Sequence, residues 1–251
     1  MKEIRLLQVV PTLNSGGVEK GTIDIAKAIS DLKNKSIVVS NGGKLASLLR
    51  NYGSIHINLP VHSKNPFIMY NNIRKLRHVL FSEKINIMHT RSRAPAWSSY
   101  YASNKNVKLV STFHNVYGHE NFLKKYYITG LAKADSIIAI SKYVKDNIIK
   151  IYNIPEKKIS VIHRGIDEKY FDPQTITEQG LYQVIKKYNF IKDQKIILFP
   201  ARLTAWKGQI EFLEILKRIK NNRYICIFVG DDKNYSYMKK LSDQIIKKNS
   251  I

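Results

Sequence analysis

Short apolar runs rich in Ile and Val recur along the chain, each followed by a stretch of helical periodicity, and this alternation narrows the choice of fold more than any other feature. Strands are predicted at residues 4–10, 36–40, 55–59, 85–89, 108–113, 136–140 and 159–162, with helices in the intervals. Strands separated by helices cannot pair as hairpins. They build a parallel sheet with helices on both faces, so the fold class is α/β. The helix predicted over 18–32 sets Ile23, Ala26, Ala28 and Ile29 on one side and Lys20, Asp24, Lys27 and Asp31 on another. Seven strands with crossovers complete a doubly wound domain. The polar stretch 167–180, which holds Pro173 and Gly180, breaks the pattern and separates a first domain over 1–172 from a second over 173–251. There the alternation resumes with a strand at 195–200, a helix over 208–220, a strand at 224–229 and a helical tail to Ile251. Two strands do not make a stable doubly wound sheet. The second unit is therefore expected to stop short, to pack against the first, or to be finished by another chain.

With 251 residues, 44% of them apolar, the chain has material for a sizeable core. No apolar run approaches the ~20 residues of a membrane-spanning helix. Met1 to Val10 is too charged and too briefly apolar for a secretory signal. The single cysteine, Cys226, permits no internal disulfide, which fits a reducing compartment, and the cytoplasm is the expected location. The abnormal number is the charge: 42 Lys+Arg against 19 Asp+Glu give a formal +23, with the excess spread over both domains. Such a field attracts nucleic acid, an anionic membrane surface or phosphorylated small molecules, or it only keeps a Lys-rich surface soluble. No recognition helix or aromatic RNA-binding stretch accompanies it, so specific nucleic-acid binding is disfavoured.

Three segments could carry chemistry. Leu13 to Thr22 lies between the first strand and the first helix, where glycine-rich turns offer backbone amides to phosphates. Its glycines run G-G-x-x-x-G rather than G-x-G-x-x-G, which disfavours a dehydrogenase. Thr22 stands where a Walker loop wants its lysine, which disfavours an ATPase or kinase. A tight turn without a ligand is the alternative reading. Phe199 to Gln209 leaves a strand and enters a helix, and there Arg202 and Lys207 could hold a diphosphate between a guanidinium fork and an ammonium. That matters because the chain has no D-x-D pair for a divalent cation, Asp231-Asp232 being the nearest approach. Ser111 to Asn115 ends the fifth strand. His114 there could hydrogen-bond a sugar hydroxyl or relay a proton near neutrality, or could be a structural half-buried histidine. His89 and His163 also end strands and would line the same sheet edge.

The stretches Asn14-Ser15-Gly16-Gly17-Val18-Glu19, His89 through Trp97, Thr112-Phe113-His114, Ala134 through Ser141, Val161 through Asp167, and Ala201-Arg202-Leu203 with Lys207-Gly208 follow one another in a familiar order. Together they resemble family four of the GT-B glycosyltransferases, the group 1 enzymes. The resemblance implies a complete N-terminal Rossmann-like domain on the acceptor side and a second, partial Rossmann-like domain for the nucleotide sugar. It implies that Gly16 and Gly17 lie near the donor phosphates or the acceptor and that His114 contacts the transferred sugar. It further implies that Arg202 and Lys207 hold the nucleotide diphosphate. Arg93, His163 and Arg164 join the donor- and acceptor-binding groups. Family members usually retain anomeric configuration, use no cofactor and need no metal.

Two departures accompany it. The family's E-x7-E pair falls beyond the segment present, Glu211 and Glu214 having the wrong spacing, and His163-Arg164 replaces the more usual Pro-Asn. The expected substrate is a UDP- or GDP-linked sugar, and the expected acceptor a cell-envelope glycan or glycolipid such as lipopolysaccharide. A non-catalytic remnant or a half-enzyme completed by a second chain is the alternative. The basic stretch from Lys64 to Lys84, with Arg74, Lys75, Arg77 and His78 beside Ile73, Leu76, Val79 and Leu80, and Lys124-Lys125-Tyr126-Tyr127 are candidate contacts to the anionic inner face of the cytoplasmic membrane. An ordinary surface helix is the other reading of that stretch.

Overall fold

The computed structural model describes residues 3–117, 121–190, 195–216, 218–219, 224–230 and 234–249, and the chain divides into two compact units, Met1–Ile166 and Asp167–Ile251. The first unit alternates strand and helix throughout: β1 (Arg5–Val9), α1 (Gly17–Asp31), β2 (Lys35–Ser40), α2 (Ala46–Asn51), β3 (Ile55–Asn58), α3 (Pro66–Ser82), β4 (Ile87–Thr90), α4 (Arg93–Ala102), β5 (Lys108–Phe113), α5 (Phe122–Ala132), β6 (Ser136–Ala139), α6 (Lys142–Tyr152) and β7 (Ile159–Val161). All seven strands pair in parallel in the order β3-β2-β1-β4-β5-β6-β7.

Central strands such as Ile37-Val38-Val39 are buried on both faces, which is why they read as unbroken apolar runs. Successive side chains point to opposite faces. Accordingly Val38 packs with Ile23 and Ala26 of α1 and Leu49 of α2, while Ile37 and Val39 join a cluster with Leu76, Val79 and Leu80 of α3. The sheet is thus doubly wound. The buried face of α1 is Thr22, Ile23 and Ala26; Ala28, expected on the apolar side, is exposed, because two residues beyond Ala26 the helix has turned about 200°. Helix starts are marked locally. Asn65 accepts from the Phe67 amide at 2.9 Å ahead of Pro66, and Ser141 accepts from the Val144 amide at 3.2 Å.

The order of strands fixes where a site can lie. The chain winds from β1 outward to β2 and β3, then returns to place β4 on the other side of β1. Helices leaving β1 and β4 therefore part to opposite faces, which opens a crevice at the carboxyl ends of these two strands.

The second unit holds α7 (Glu178–Tyr188), β8 (Lys195–Pro200), α8 (Gln209–Leu216), β9 (Tyr224–Val229) and α9 (Tyr235–Asn249), with β8 and β9 paired in parallel. Leu213, Leu216 and Leu241 form its small core, against which Phe212 and Phe228 pack. Sequence periodicity had not marked α7; it begins with a Thr177 cap inside the polar stretch, and its apolar residues are exposed.

Candidate functional site

The turn after β1 delivers Gly16 and Gly17 to the crevice. Gly16 is the N-cap of α1 with φ 136°, a conformation that side chains rarely adopt. No side chain caps the helix, so its first-turn amides are open to a ligand. Gly17 and Gly21 lie one helical turn apart on the same face, and each is matched to an arginine. A Cβ on Gly17 would collide with the Arg164 guanidinium, and one on Gly21 would lie 3.0 Å from Arg91 Nη2.

Arg91 follows β4 and is only 5% exposed. Its Nη1 donates to Gln8 Oε1 at 3.3 Å, and Gln8, buried in β1, donates in turn to the Thr22 carbonyl of α1 at 3.0 Å. The Arg91 Nε has no hydrogen-bond partner. Burial and then the nearby Arg164 lower its pKa to about 10, with Asp24 opposing. Among the described residues no salt bridge involves Arg91, Arg93 or Arg164.

Arg164, which follows β7, donates from Nη2 to His114 Nδ1 at 2.7 Å. A ring nitrogen that accepts from a guanidinium carries no proton, so His114 is neutral with its hydrogen on Nε2. Burial, Arg91 and Arg164 together hold its pKa at about 3. The Arg91 main chain works weakly the other way, without reaching hydrogen-bond geometry, and Nε2 is buried without a partner. The expected proton relay near neutrality is therefore corrected: a ring neutral down to about pH 3 cannot take up a proton at pH 7. His89 is corrected too. It does not line the crevice but is buried, within 2.7 Å of Thr112 Oγ1, and burial holds its pKa well below 6.5.

Arg93 opens α4 with its guanidinium 4.4 Å from the centre of the Tyr117 ring, and burial pushes the Tyr117 pKa up against the pull of Arg93. His163 is exposed, one residue before Arg164, and makes no side-chain hydrogen bond among the described residues. Unit 1 thus brings together Gly16, Gly17, His114 and Arg164, with Arg93 beside Tyr117. Sequence reasoning placed Gly21 in the glycine pattern and Arg91 in a family-like segment without giving either a role, and it did not reach Tyr117. The signal for Arg91 was its place directly behind a buried strand, where an arginine needs a reason.

In the second unit, Arg202 and Lys207 are both exposed in the loop between β8 and α8. The buried Gln209 braces this loop: its Nε2 donates to the Arg202 carbonyl at 2.9 Å, and its Oε1 accepts from the Tyr237 hydroxyl at 3.1 Å. Lys207 Nζ lies 4.0 Å from the centre of the Trp206 ring. Among the described residues no cluster of His, Cys, Asp or Glu could hold a metal, and Asp231-Asp232 lies outside them.

The sequence matches Glycosyltransferase Family 4 over residues 15–170 and Glycosyl transferases group 1 over residues 183–251. It is 36% identical over 104 residues to an uncharacterized glycosyltransferase of Methanocaldococcus jannaschii, covering 39% of this chain and 26% of that protein. It is 22% identical over 217 residues to the GPI3 subunit of a Saccharomyces cerevisiae phosphatidylinositol N-acetylglucosaminyltransferase, covering 81% and 47%. A crystal structure of a glycosyltransferase from Rickettsia africae superposes with a TM-score of 0.87 at 39% identity, covering 98% of this chain and 66% of that one. Anabaena HepE, crystallised with UDP and glucose, superposes with a TM-score of 0.79 at 19% identity and the same coverage. The chain therefore spans a quarter to a half of these curated relatives and about two thirds of these solved ones.

Proposed function

Because the chain belongs to Glycosyltransferase Family 4, we propose that it moves a sugar from a UDP- or GDP-linked donor to a cell-envelope glycan or lipid-linked acceptor, for which lipopolysaccharide is the model. One observation carries the reading: each of the two family matches takes in a glycine-containing turn that leads from the carboxyl end of a parallel strand into a helix, Gly16-Gly17 after β1 and Arg202 to Gly208 after β8. The UDP complex of the HepE relative supports a nucleotide sugar as the donor.

In this proposal Arg202 and Lys207 hold the donor diphosphate. Negative charge grows on the diphosphate as its bond to the sugar breaks, so fixed cations aimed at it stabilise the transition state more than the ground state. No divalent metal is then required. His114 contacts the transferred sugar, the Gly16-Gly17 turn admits the donor or acceptor close to the main chain, and Arg93, His163 and Arg164 join the donor- and acceptor-binding groups. The anomeric configuration is retained.

The lipid-linked part of the proposal is supported by α3. Phe67, Tyr70, Arg74, Arg77 and Phe81 follow one another at helical spacing on its exposed side, with Phe67 85% and Phe81 86% exposed. Exposed Phe122, Leu123 and Tyr126 on α5 sit with Lys124 and Lys125, and α4 links the two helices: Arg77 donates to the Tyr101 carbonyl at 2.7 Å and Trp97 stacks on Tyr126. Aromatic residues interleaved with cations suit the headgroup region of an anionic leaflet. Among the described residues no helix is long and apolar enough to cross a membrane.

A second reading, that further polypeptide completes the catalytic set, is favoured by Ile196 and Leu198 of β8, which are half-exposed although they lie in a strand. The donor reading is tested by a panel of nucleotide sugars monitored by thermal shift. A rise in Tm with a UDP- or GDP-sugar is expected, and no shift with any member of the panel would sink it.

A further inference from the structure

Two guanidiniums sit along the glycine face of α1, and among the described residues no acidic side chain forms an ion pair with either. A buried charge is costly unless it is paired, and like charges raise that cost. Arg91 is buried and bears an unpartnered Nε, and Arg164 adds its own positive field from the next glycine along. Asp24 offsets this field from a distance, without an ion pair. Beside the pair lie the first turn of α1, which no side chain caps although Glu19 belongs to it, the neutral His114 ring that accepts from Arg164 and the Gln8 side-chain oxygen that accepts from Arg91. Such a grouping of like charges favours an anion beside it.

We propose that the Gly17–Gly21 face of α1, with Arg91 and Arg164, is an anion site that takes a phosphate monoester carried by the acceptor. The assignment to the acceptor rests on the nucleotide-sugar reading above. A donor diphosphate is already balanced by Arg202 and Lys207, which leaves two arginines of the first unit surplus to it. Arg91 is the fixed half, pinned by Gln8 and walled in by the sheet. Arg164 is the adjustable half. It is exposed, and its single hydrogen bond is to a neutral ring, which an oxyanion with two acceptor oxygens readily outcompetes. Both glycines border the site: a methyl group on Gly17 would collide with the Arg164 guanidinium, and one on Gly21 would press on Arg91 Nη2 at 3.0 Å.

The test is calorimetry on the full chain at low ionic strength with three ligands: sn-glycerol 3-phosphate for a lipid headgroup, glucose 6-phosphate for a phosphorylated sugar, and UDP. Wild-type protein should bind at least one monoester, and the tighter of the two identifies the source. Arg164→Gln, a surface change that leaves the core untouched, should weaken that monoester at least tenfold while UDP affinity stays within twofold. Lys207→Ala should show the opposite pattern. The proposal is overturned if neither monoester binds, if Arg164→Gln binds it as wild type does, or if that variant loses UDP in equal proportion, which would make this the donor's own phosphate site. Failure of wild type to bind UDP while the monoester result stands would instead sink the nucleotide-sugar reading.

Discussion

His114 shows how one side chain is defined by its neighbours. Its sequence context marked it as a polar strand end at a sheet edge, but its protonation state is set by Arg91 and Arg164, from β-strand ends far away in the chain. The consequence is measurable. The unfolded chain protonates this histidine near 6.5 and the folded chain only near 3, so between those values the unfolded state binds more protons and stability falls as pH falls. His89, depressed by burial, adds to the same trend. Urea unfolding at pH 7 and pH 5 should show a loss in wild type that is smaller in His114→Gln, by at most about 1.4 kcal/mol per pH unit. Equal losses in the two proteins would contradict a neutral His114. Gly16, Gly17 and Arg164 were legible as candidates because they fall in recognisable segments. Arg91 fell in such a segment too but without a role, because a sequence does not reveal that an arginine will be buried, nor that Gly21 will lie against it.

At the scale of elements, the strands were the most legible part of the fold. β5, β8 and β9 span the residues expected of them, since β-branched and aromatic side chains are concentrated in each run. α7 was missed because it starts in a polar stretch and buries none of its residues, so no packing partner disciplined its pattern. In α3 the sequence showed the cations and the buried Leu76, Val79 and Leu80, but only the structure separates that core face from the exposed stripe carrying Phe67 and Phe81. These two rings make no contribution to the core, so Phe67→Ser with Phe81→Ser should leave Tm within a few degrees. The double variant should float less with vesicles containing anionic phospholipid than wild type does. Wild-type flotation that is the same on neutral and anionic vesicles would refute docking through α3.

At the scale of the molecule, the proposed sugar transfer draws on both units, and the +23 charge is spread over the two. The first unit contributes a crevice dictated by the reversal of strand order at β1 and β4, which composition and periodicity announced as α/β but could not locate. The second contributes Arg202 and Lys207 on a loop braced by Gln209 and Tyr237. That brace was invisible in the sequence, because it joins α8 to α9 across residues with no shared motif. Everything proposed about transfer depends on these two cations gripping a diphosphate. The most direct measurement is UDP affinity by calorimetry in wild type, Arg202→Ala and Lys207→Ala. Each single variant is predicted to bind at least tenfold more weakly, about 1.4 kcal/mol, with its fold intact by circular dichroism, whereas undiminished affinity in either one would contradict the account.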